Sequence, residues 1–376
     1  MIQTLLGGLS ARDFLAQYWQ KKPLLVRGAI PDFQGVFDRA SLLDLACDED
    51  VESRMVWHQN DAWQLARGPF RPSDFKRRRD AWSVLVSGAN LMSEPADALL
   101  RRFSFIPQAR LDDLMVSYAT PGGGVGPHFD SYDVFLLQGA GVRRWQIGKQ
   151  RDLSLIEGAP LRILRDFRPS HEWDLQPGDM LYLPPRYAHN GIALSDCMTY
   201  SIGFRAPATQ ELAEGFLSFL QEELELKGRY ADPDLKLARH PAALPEDMID
   251  QVSEMLARIR WGRADVARFL GRYLSEPKAH VFFDPPERPL TEKAFVTACT
   301  RRGFALDLKT QLLFRGKQLY LNGEVEDPPS SLLKRLQKLA DLRCLAGSDL
   351  DPEICSYLFV WYNAGFGMPS KGGKDF

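Results

Sequence analysis

Two short stretches hold residues whose types and spacing suit metal chemistry. In GGGVGPHFDSYDVF, residues 122–135, His128 and Asp130 lie two apart, so on a β-strand they project from one face and can grip one ion together. In LQPGDMLYLPPRYAHNG, residues 175–191, His189 follows His128 by 61 positions. Two imidazoles and a carboxylate form the facial triad of a non-haem Fe(II) site, with adjacent octahedral positions left open. Dioxygen and a cosubstrate both need such positions. Structural zinc usually takes four protein ligands and prefers thiolate or imidazole, so this donor set favours iron. An open-site zinc hydrolase would want a paired general base, and the sequence offers no obvious one.

A histidine in a strand is ordinarily a structural residue. His58, His171, His240 and His280 lack comparable surroundings and read as structural or exposed. His128 and His189 differ in how the chain approaches them. Glycines beside His128 let the backbone turn closely around a site, and Pro184-Pro185 fixes an extended arm that delivers His189.

The elements that must hold these residues are strands. From about Leu111 the chain runs in short apolar segments punctuated by glycine and proline: LMVSYATPGGGVG, DVFLLQGAG, RRWQIG, DMLYLPP and MTYSIGFRAP. No helical pattern separates them, so parallel βαβ units are excluded and a closed or sandwich-like barrel is expected. Before it, Ser10 caps a small helix lined by Phe14, Leu15, Tyr18 and Trp19 and ended by Pro23. After Ala206-Pro207 the pattern turns helical. Three amphipathic stripes follow: Leu212 to Leu220, Met248 to Ile259 and Val266 to Leu274. So short a bundle must bury itself against something, and a partner subunit is expected. HVFFDPPERP, residues 280–289, reads as a linker. Beyond it come a helix over 291–302, a hairpin turning at Asn322-Gly323, and helices over 330–343 and about 352–362, the layout of a winged helix.

Composition narrows the classes further. Among 376 residues, 45% are hydrophobic, which fills real cores, and the formal net charge is −2. That balance excludes a chain devoted to coating nucleic acid or anionic membranes. From Arg288 onward 13 basic residues face 10 acidic ones, a mild excess; Lys334-Arg335 and Lys338, at helical spacing, read as a solvated face, and the Arg301-Arg302 and Lys334-Arg335 pairs are what a nucleic-acid-binding reading would rest on. Five scattered cysteines without a Cys-x-x-Cys pair make neither a disulfide framework nor a zinc knuckle. The first charge is Arg12, and the apolar stretch before it is too short for a signal-peptide core. No uncharged apolar run approaches a membrane span. A cytoplasmic protein is expected.

Taken together, HFD with the distal His189, the PGDMLYLPP lead-in, the early YWQKKPLLVRGA and the GVRRWQIG strand resemble the Jumonji-type 2-oxoglutarate oxygenases. Within them the chain is most similar to the bacterial ribosomal oxygenases, which are ribosomal-protein arginine hydroxylases. The motifs are specific in the first 206 residues and architectural afterwards. The resemblance implies an α+β chain: a double-stranded β-helix, the cupin-like Jumonji barrel, with N-terminal α/β elements over 1–206, a helical dimerisation segment over 207–279, and a winged-helix-like domain over 280–376. It implies Fe(II) held by His128, Asp130 and His189, with 2-oxoglutarate and dioxygen as cosubstrates. The product would be a hydroxylated side chain, most simply an arginine, on large-subunit ribosomal protein sixteen.

A cation must receive the distal carboxylate of 2-oxoglutarate, and a guanidinium presents two parallel donors that suit it. Neighbouring side chains on a strand face opposite ways, so the residues alone leave Arg143 and Arg144 both open; the family position is Arg143. Thr199 is a further candidate for the cosubstrate. A substrate arginine would need a carboxylate, for which Asp112 and Asp113 are candidates with Tyr132 and Ser201 nearby; Asp133 could serve instead. Two other functions fit parts of the pattern. One is demethylation of N-methyl-lysine, which also begins with hydroxylation. The other is a non-enzymatic regulator that binds nucleic acid through the winged helix, a reading that the mild charge disfavours.

Overall fold

The computed structural model describes residues 2–76, 78 and 80–370. Strands β1 (Leu24–Val26), β2 (Ser53–Gln59), β3 (Ala62–Arg67), β4 (Trp82–Val86), β5 (Leu111–Ala119), β6 (Val134–Ala140), β7 (Arg143–Gly148), β8 (His171–Leu175), β9 (Met180–Leu183), β10 (Ala188–Ala193) and β11 (Cys197–Phe204) build the first unit. One sheet runs β1-β9-β6-β11-β5-β4-β2-β3, and the opposing one runs β10-β7-β8. Every pairing in the two is antiparallel. His128 pairs with His189 through two backbone hydrogen bonds of 2.9 and 2.8 Å, extending the smaller sheet past β10. The result is the double-stranded β-helix that the family resemblance implies, and it meets the closed or sandwich-like barrel expected from the strand pattern.

Side-chain alternation explains how one strand serves two compartments. Along β11, Met198, Tyr200, Ile202 and Phe204 join the main core outside the barrel, while Ser201 and Gly203 turn inward to a cavity. The outer core is closed by the helix Ala11–Gln17. Its cap is as expected, Ser10 accepting from the Asp13 amide, and Phe14 lies 5.0 Å from the ring of Tyr182 and 5.4 Å from that of Phe135. The strands β2 to β4, for which the sequence carried little signal, widen the larger sheet beyond the barrel and wall one side of the cavity.

The second unit comprises the helices Thr209–Glu223, Glu246–Leu256 and Arg263–Ser275. Phe219, Leu220 and Phe269 make a small core between the first and third. The middle helix has no fully buried residue, Val252 and Met255 being half-buried. In the third unit, the helix Glu292–Arg302 is followed by β12 (Phe304–Leu306), β13 (Leu312–Arg315), β14 (Gln318–Leu321) and β15 (Glu324–Glu326). Then come the helix Leu333–Leu342, β16 (Cys344–Leu345), the helix Pro352–Asn363 and β17 (Gly367–Pro369). The β14–β15 turn places Asn322 at φ 51° and Gly323 at φ 92°, the left-handed geometry that Asn-Gly supplies cheaply in a tight hairpin.

The units are tied together. Arg272 Nε donates to Gly323 O at 3.2 Å, and the Gly323 amide donates to Ser275 Oγ at 3.0 Å, so the third helix is stitched to the wing. Arg205, just past β11, donates to Leu274 O at 2.6 Å. Arg343 of the winged helix, almost fully buried, faces Asp97 of the first unit at 3.8 Å.

Candidate active site

His128 sits in the extended strand beside β10, and His189 is the second residue of β10 itself, so the bridge between their backbones brings the rings within 4.2 Å. Each imidazole is oriented the same way. The Nδ1 of His128 meets Gly126 O at 2.9 Å and the Nδ1 of His189 meets Tyr187 O at 2.9 Å. A carbonyl only accepts, so each Nδ1 is the protonated nitrogen, and both Nε2 atoms are left as bare donors to a metal. Asp130 Oδ2 stands 3.6 Å from His189 Nε2. One ligand atom from each of the three lies within 4.8 Å of the others. Burial, with His128 alongside, pushes His189 down to about 4, outweighing the pull of Asp130. The ring is therefore neutral at pH 7, as metal ligation requires.

The triad opens into a cavity of about 490 Å³. Arg143, the first residue of β7, is 5% exposed and points into it. Its Nη1 donates to Ser117 Oγ at 3.1 Å, while Nε and Nη2 are buried without a partner. Orphaned guanidinium donors in a closed site are costly unless an acceptor arrives. Arg144 faces outward, where Nε and Nη2 hold Asp174 at 2.7 and 3.0 Å and Glu172 lies 3.3 Å away. The strand phase left open by the residues alone is thus resolved: Arg143 lies inside and Arg144 outside. Ser117 was missed. It lies two and four residues past Met115 and Asp113 on the inward face of β5, a position that alternation could have suggested once the strand's phase was known.

Asp112, Asp113, Tyr132 and Ser201 all line the same cavity. Asp113 Oδ2 accepts the Gly88 amide at 2.8 Å, and burial raises its carboxyl above the usual range against the opposing effect of Lys278. Burial beside Asp130 and Asp113 raises the Tyr132 hydroxyl, which stays protonated. Two expectations are corrected. Asp133 is fully buried away from the cavity, accepting from Tyr182 Oη at 2.6 Å and Gln20 Nε2 at 2.9 Å and facing Arg110 at 3.5 Å; it anchors the N-terminal segment. Thr199 does not line the cavity either, because its hydroxyl is turned to Gln138 Oε1 at 2.9 Å.

Comparison with known proteins bears on this arrangement. Residues 98–212 match the JmjC domain and residues 254–367 the ROXA-like winged helix. The chain is 36% identical over 94% of its length, and 96% of the relative's, to the ribosomal protein uL16 3-hydroxylase of Escherichia coli. The chain belongs to the JmjC ribosomal oxygenases. A probable ribosomal oxygenase of Haemophilus influenzae is 40% identical over 65% of this chain and 59% of that protein. The crystal structure of E. coli YcfD superposes with a TM-score of 0.84 at 34% identity, covering 96% of this chain and 98% of that one. YcfD, itself described as a ribosomal oxygenase, has also been solved with cobalt and 2-oxoglutarate, at TM-score 0.81 and 33% identity. In this ribosomal oxygenase the family's winged-helix match begins at 254, and the helix Arg263–Ser275 is indeed stitched to the wing. Among the described residues no helix is long and apolar enough to cross a membrane.

Proposed function

We propose that this chain is an Fe(II)- and 2-oxoglutarate-dependent hydroxylase acting on an arginine of large-subunit ribosomal protein uL16. The observation that carries the reading is one cavity holding both a His-Asp-His triad with free Nε2 atoms and a buried arginine with two unpartnered donors. The kinship with a uL16 3-hydroxylase supports the same substrate protein.

His128, Asp130 and His189 would hold the iron, and Arg143 with Ser117 would take the distal carboxylate of 2-oxoglutarate, satisfying the orphaned Nε and Nη2. Bound together, iron and 2-oxoglutarate would supply the oxidising chemistry that turns a carbon–hydrogen bond of the substrate into a carbon–hydroxyl bond, with succinate and carbon dioxide as the other products. The chain's own work is orientation. Carbonyls of Gly126 and Tyr187 fix both imidazole planes. The apolar walls, Leu85, Leu136, Trp145 and Ile163 among them, keep bulk water from the reacting centre. At the mouth, Asp113 offers a carboxylate to a substrate guanidinium, with the Tyr132 ring and Ser201 beside it. The enzyme works as a cytoplasmic homodimer joined through its helical unit.

Mass spectrometry of large-subunit ribosomal proteins with and without this gene tests the reading. A +16 Da shift on a uL16 arginine, the mass of one oxygen atom, should vanish on deletion and return with wild type but not with His128→Ala. A shift confined to histidine, or demethylation of a lysine without any stable +16 product, would replace arginine hydroxylation.

A further inference from the structure

The acidic pair at the cavity mouth is not free. Lys278 Nζ lies 3.2 Å from Asp112 Oδ1 and 3.8 Å from Asp113 Oδ2, and Lys278 itself lines the cavity. This lysine belongs to neither the barrel nor the wing. It follows the helix Arg263–Ser275 in the short segment that leads to the winged helix, two residues past Glu276. The segment is held on both sides: Arg205 grips Leu274 O from the barrel and Gly323 grips Ser275 from the wing. Arg205 Nε also faces Asp112 Oδ1, at 3.7 Å. Two carboxylates thus face two cations of the same chain before any substrate arrives.

We infer that Lys278 is a specificity-determining residue: its ammonium occupies the acidic pair in the resting enzyme, so a substrate cation binds by exchange, and a guanidinium exchanges where an ammonium does not. The inference rests on the reading that the substrate side chain is cationic. The chemistry follows from the two head groups. An incoming lysine would replace one compact point charge by another, gaining no contact that Lys278 lacks, while the resident ammonium has the advantage of being tethered. An incoming arginine brings a planar fork that can hold Asp113 through two parallel hydrogen bonds and lay its face on Tyr132, contacts unavailable to Lys278. Discrimination of this kind comes from a feature set against the competitor as well as contacts made to the preferred ligand. Lys278 is well placed for it because its side chain is 40% exposed and can swing into solvent when displaced.

The test uses the full-length enzyme loaded with Mn(II) and 2-oxoglutarate without oxygen, and a pair of uL16 peptides identical except for arginine or lysine at the target position. Wild type should bind the arginine peptide at least about tenfold more tightly. Lys278→Met, which keeps the aliphatic stem, should tighten the lysine peptide by about three- to tenfold and the arginine peptide by less, so that the preference shrinks. Lys278→Arg, which keeps a tethered cation, should preserve it. If wild type prefers the arginine peptide and Lys278→Met keeps that preference unchanged, the role of Lys278 is overturned while the substrate reading stands. If Lys278→Met binds the arginine peptide more weakly, the lysine supports the site rather than competing for it, and the inference is equally overturned. If wild type shows no preference between the peptides, both readings fail. Melting temperatures of the two variants identify any misfolded protein before binding is compared.

Discussion

At the scale of single residues, the contrast between Arg143 and Arg144 is the sharpest, because the two share chemistry and sequence position and differ only in which way a strand turns them. Arg143 has two buried donors without partners, and Arg144 holds Asp174 in a bidentate pair in solvent. Removing one member of a desolvated charged pair costs about 2–5 kcal/mol, mostly from stranding the other. Arg143→Ala should therefore weaken 2-oxoglutarate binding to the metal-loaded enzyme by about 30-fold or more. An exposed pair contributes at most about 1 kcal/mol, and Arg144→Ala should leave that affinity within about twofold. Calorimetric titration of both variants with 2-oxoglutarate decides it; equal losses would mean that the cosubstrate sits elsewhere. His128, Asp130 and His189 were legible because their residue types are rare together and their approach is written in glycine and proline. Asp133 misled for the converse reason. Its sequence neighbours place it next to the site, but alternation from Tyr132 turns it into the core, where Tyr182 and Gln20, both distant in sequence, claim it.

At the scale of elements, the metal centre depends on how a non-repetitive strand is pressed against β10. Gly126 is the pivot. Its φ is +78°, its carbonyl receives the His128 Nδ1 proton, and a Cβ there would fall 2.6 Å from Trp63 Cζ2 and 2.8 Å from Ile163 Cδ1. Left-handed geometry costs a non-glycine residue about 1–2 kcal/mol, and forcing atoms into a packed site adds about 1–3 kcal/mol. Gly158 provides the control, since its φ is +74° but nothing lies within 4 Å of the added carbon. Gly126→Ala should lower the melting temperature more than Gly158→Ala and weaken Fe(II) or Mn(II) binding by about 10- to 100-fold, the usual effect of disturbing a ligand's own hydrogen-bond partner. Equal effects of the two substitutions would show that backbone strain alone acts. Strands β5, β6, β7, β9 and β11 could be read from their apolar runs and turn residues, as could the Asn322-Gly323 hairpin, whereas β8 and β10 carry no such run. Strands β2 to β4 could not, because β3 is half-exposed along its length and β4 is buried on both faces, so neither shows the alternation that marks a strand.

At the scale of the whole molecule, the helical unit is the part that one chain leaves unfinished. Leu217 is 65% exposed, Ile249 45%, Leu256 57% and Trp261 59%. The helix Glu246–Leu256 has an apolar stripe at three- and four-residue spacing, yet Val252 and Met255 are only half-buried and the rest of the stripe is exposed. An amphipathic helix in water gains its stability from covering that stripe. Each large apolar side chain removed from water contributes about 1.5–3 kcal/mol, so a handful suffices to hold two copies together at micromolar concentration. A second copy is the economical cover, since a twofold axis pairs the stripe with itself. Sedimentation at micromolar concentration should give a mass near twice the 42.6 kDa of one chain, and Ile249→Asp with Leu256→Asp should return it to the single-chain value. Because Lys278 lies on the segment just after this unit, loosening the dimer should also loosen the lysine's hold on the acidic mouth. The monomeric variant is therefore expected to lose part of its preference for the arginine peptide while keeping its affinity for 2-oxoglutarate, because Arg143, proposed to hold it, lies on β7 inside the barrel. A wild-type mass of one chain would remove the partner from the argument and leave the exposed stripe to be covered by the ribosomal substrate.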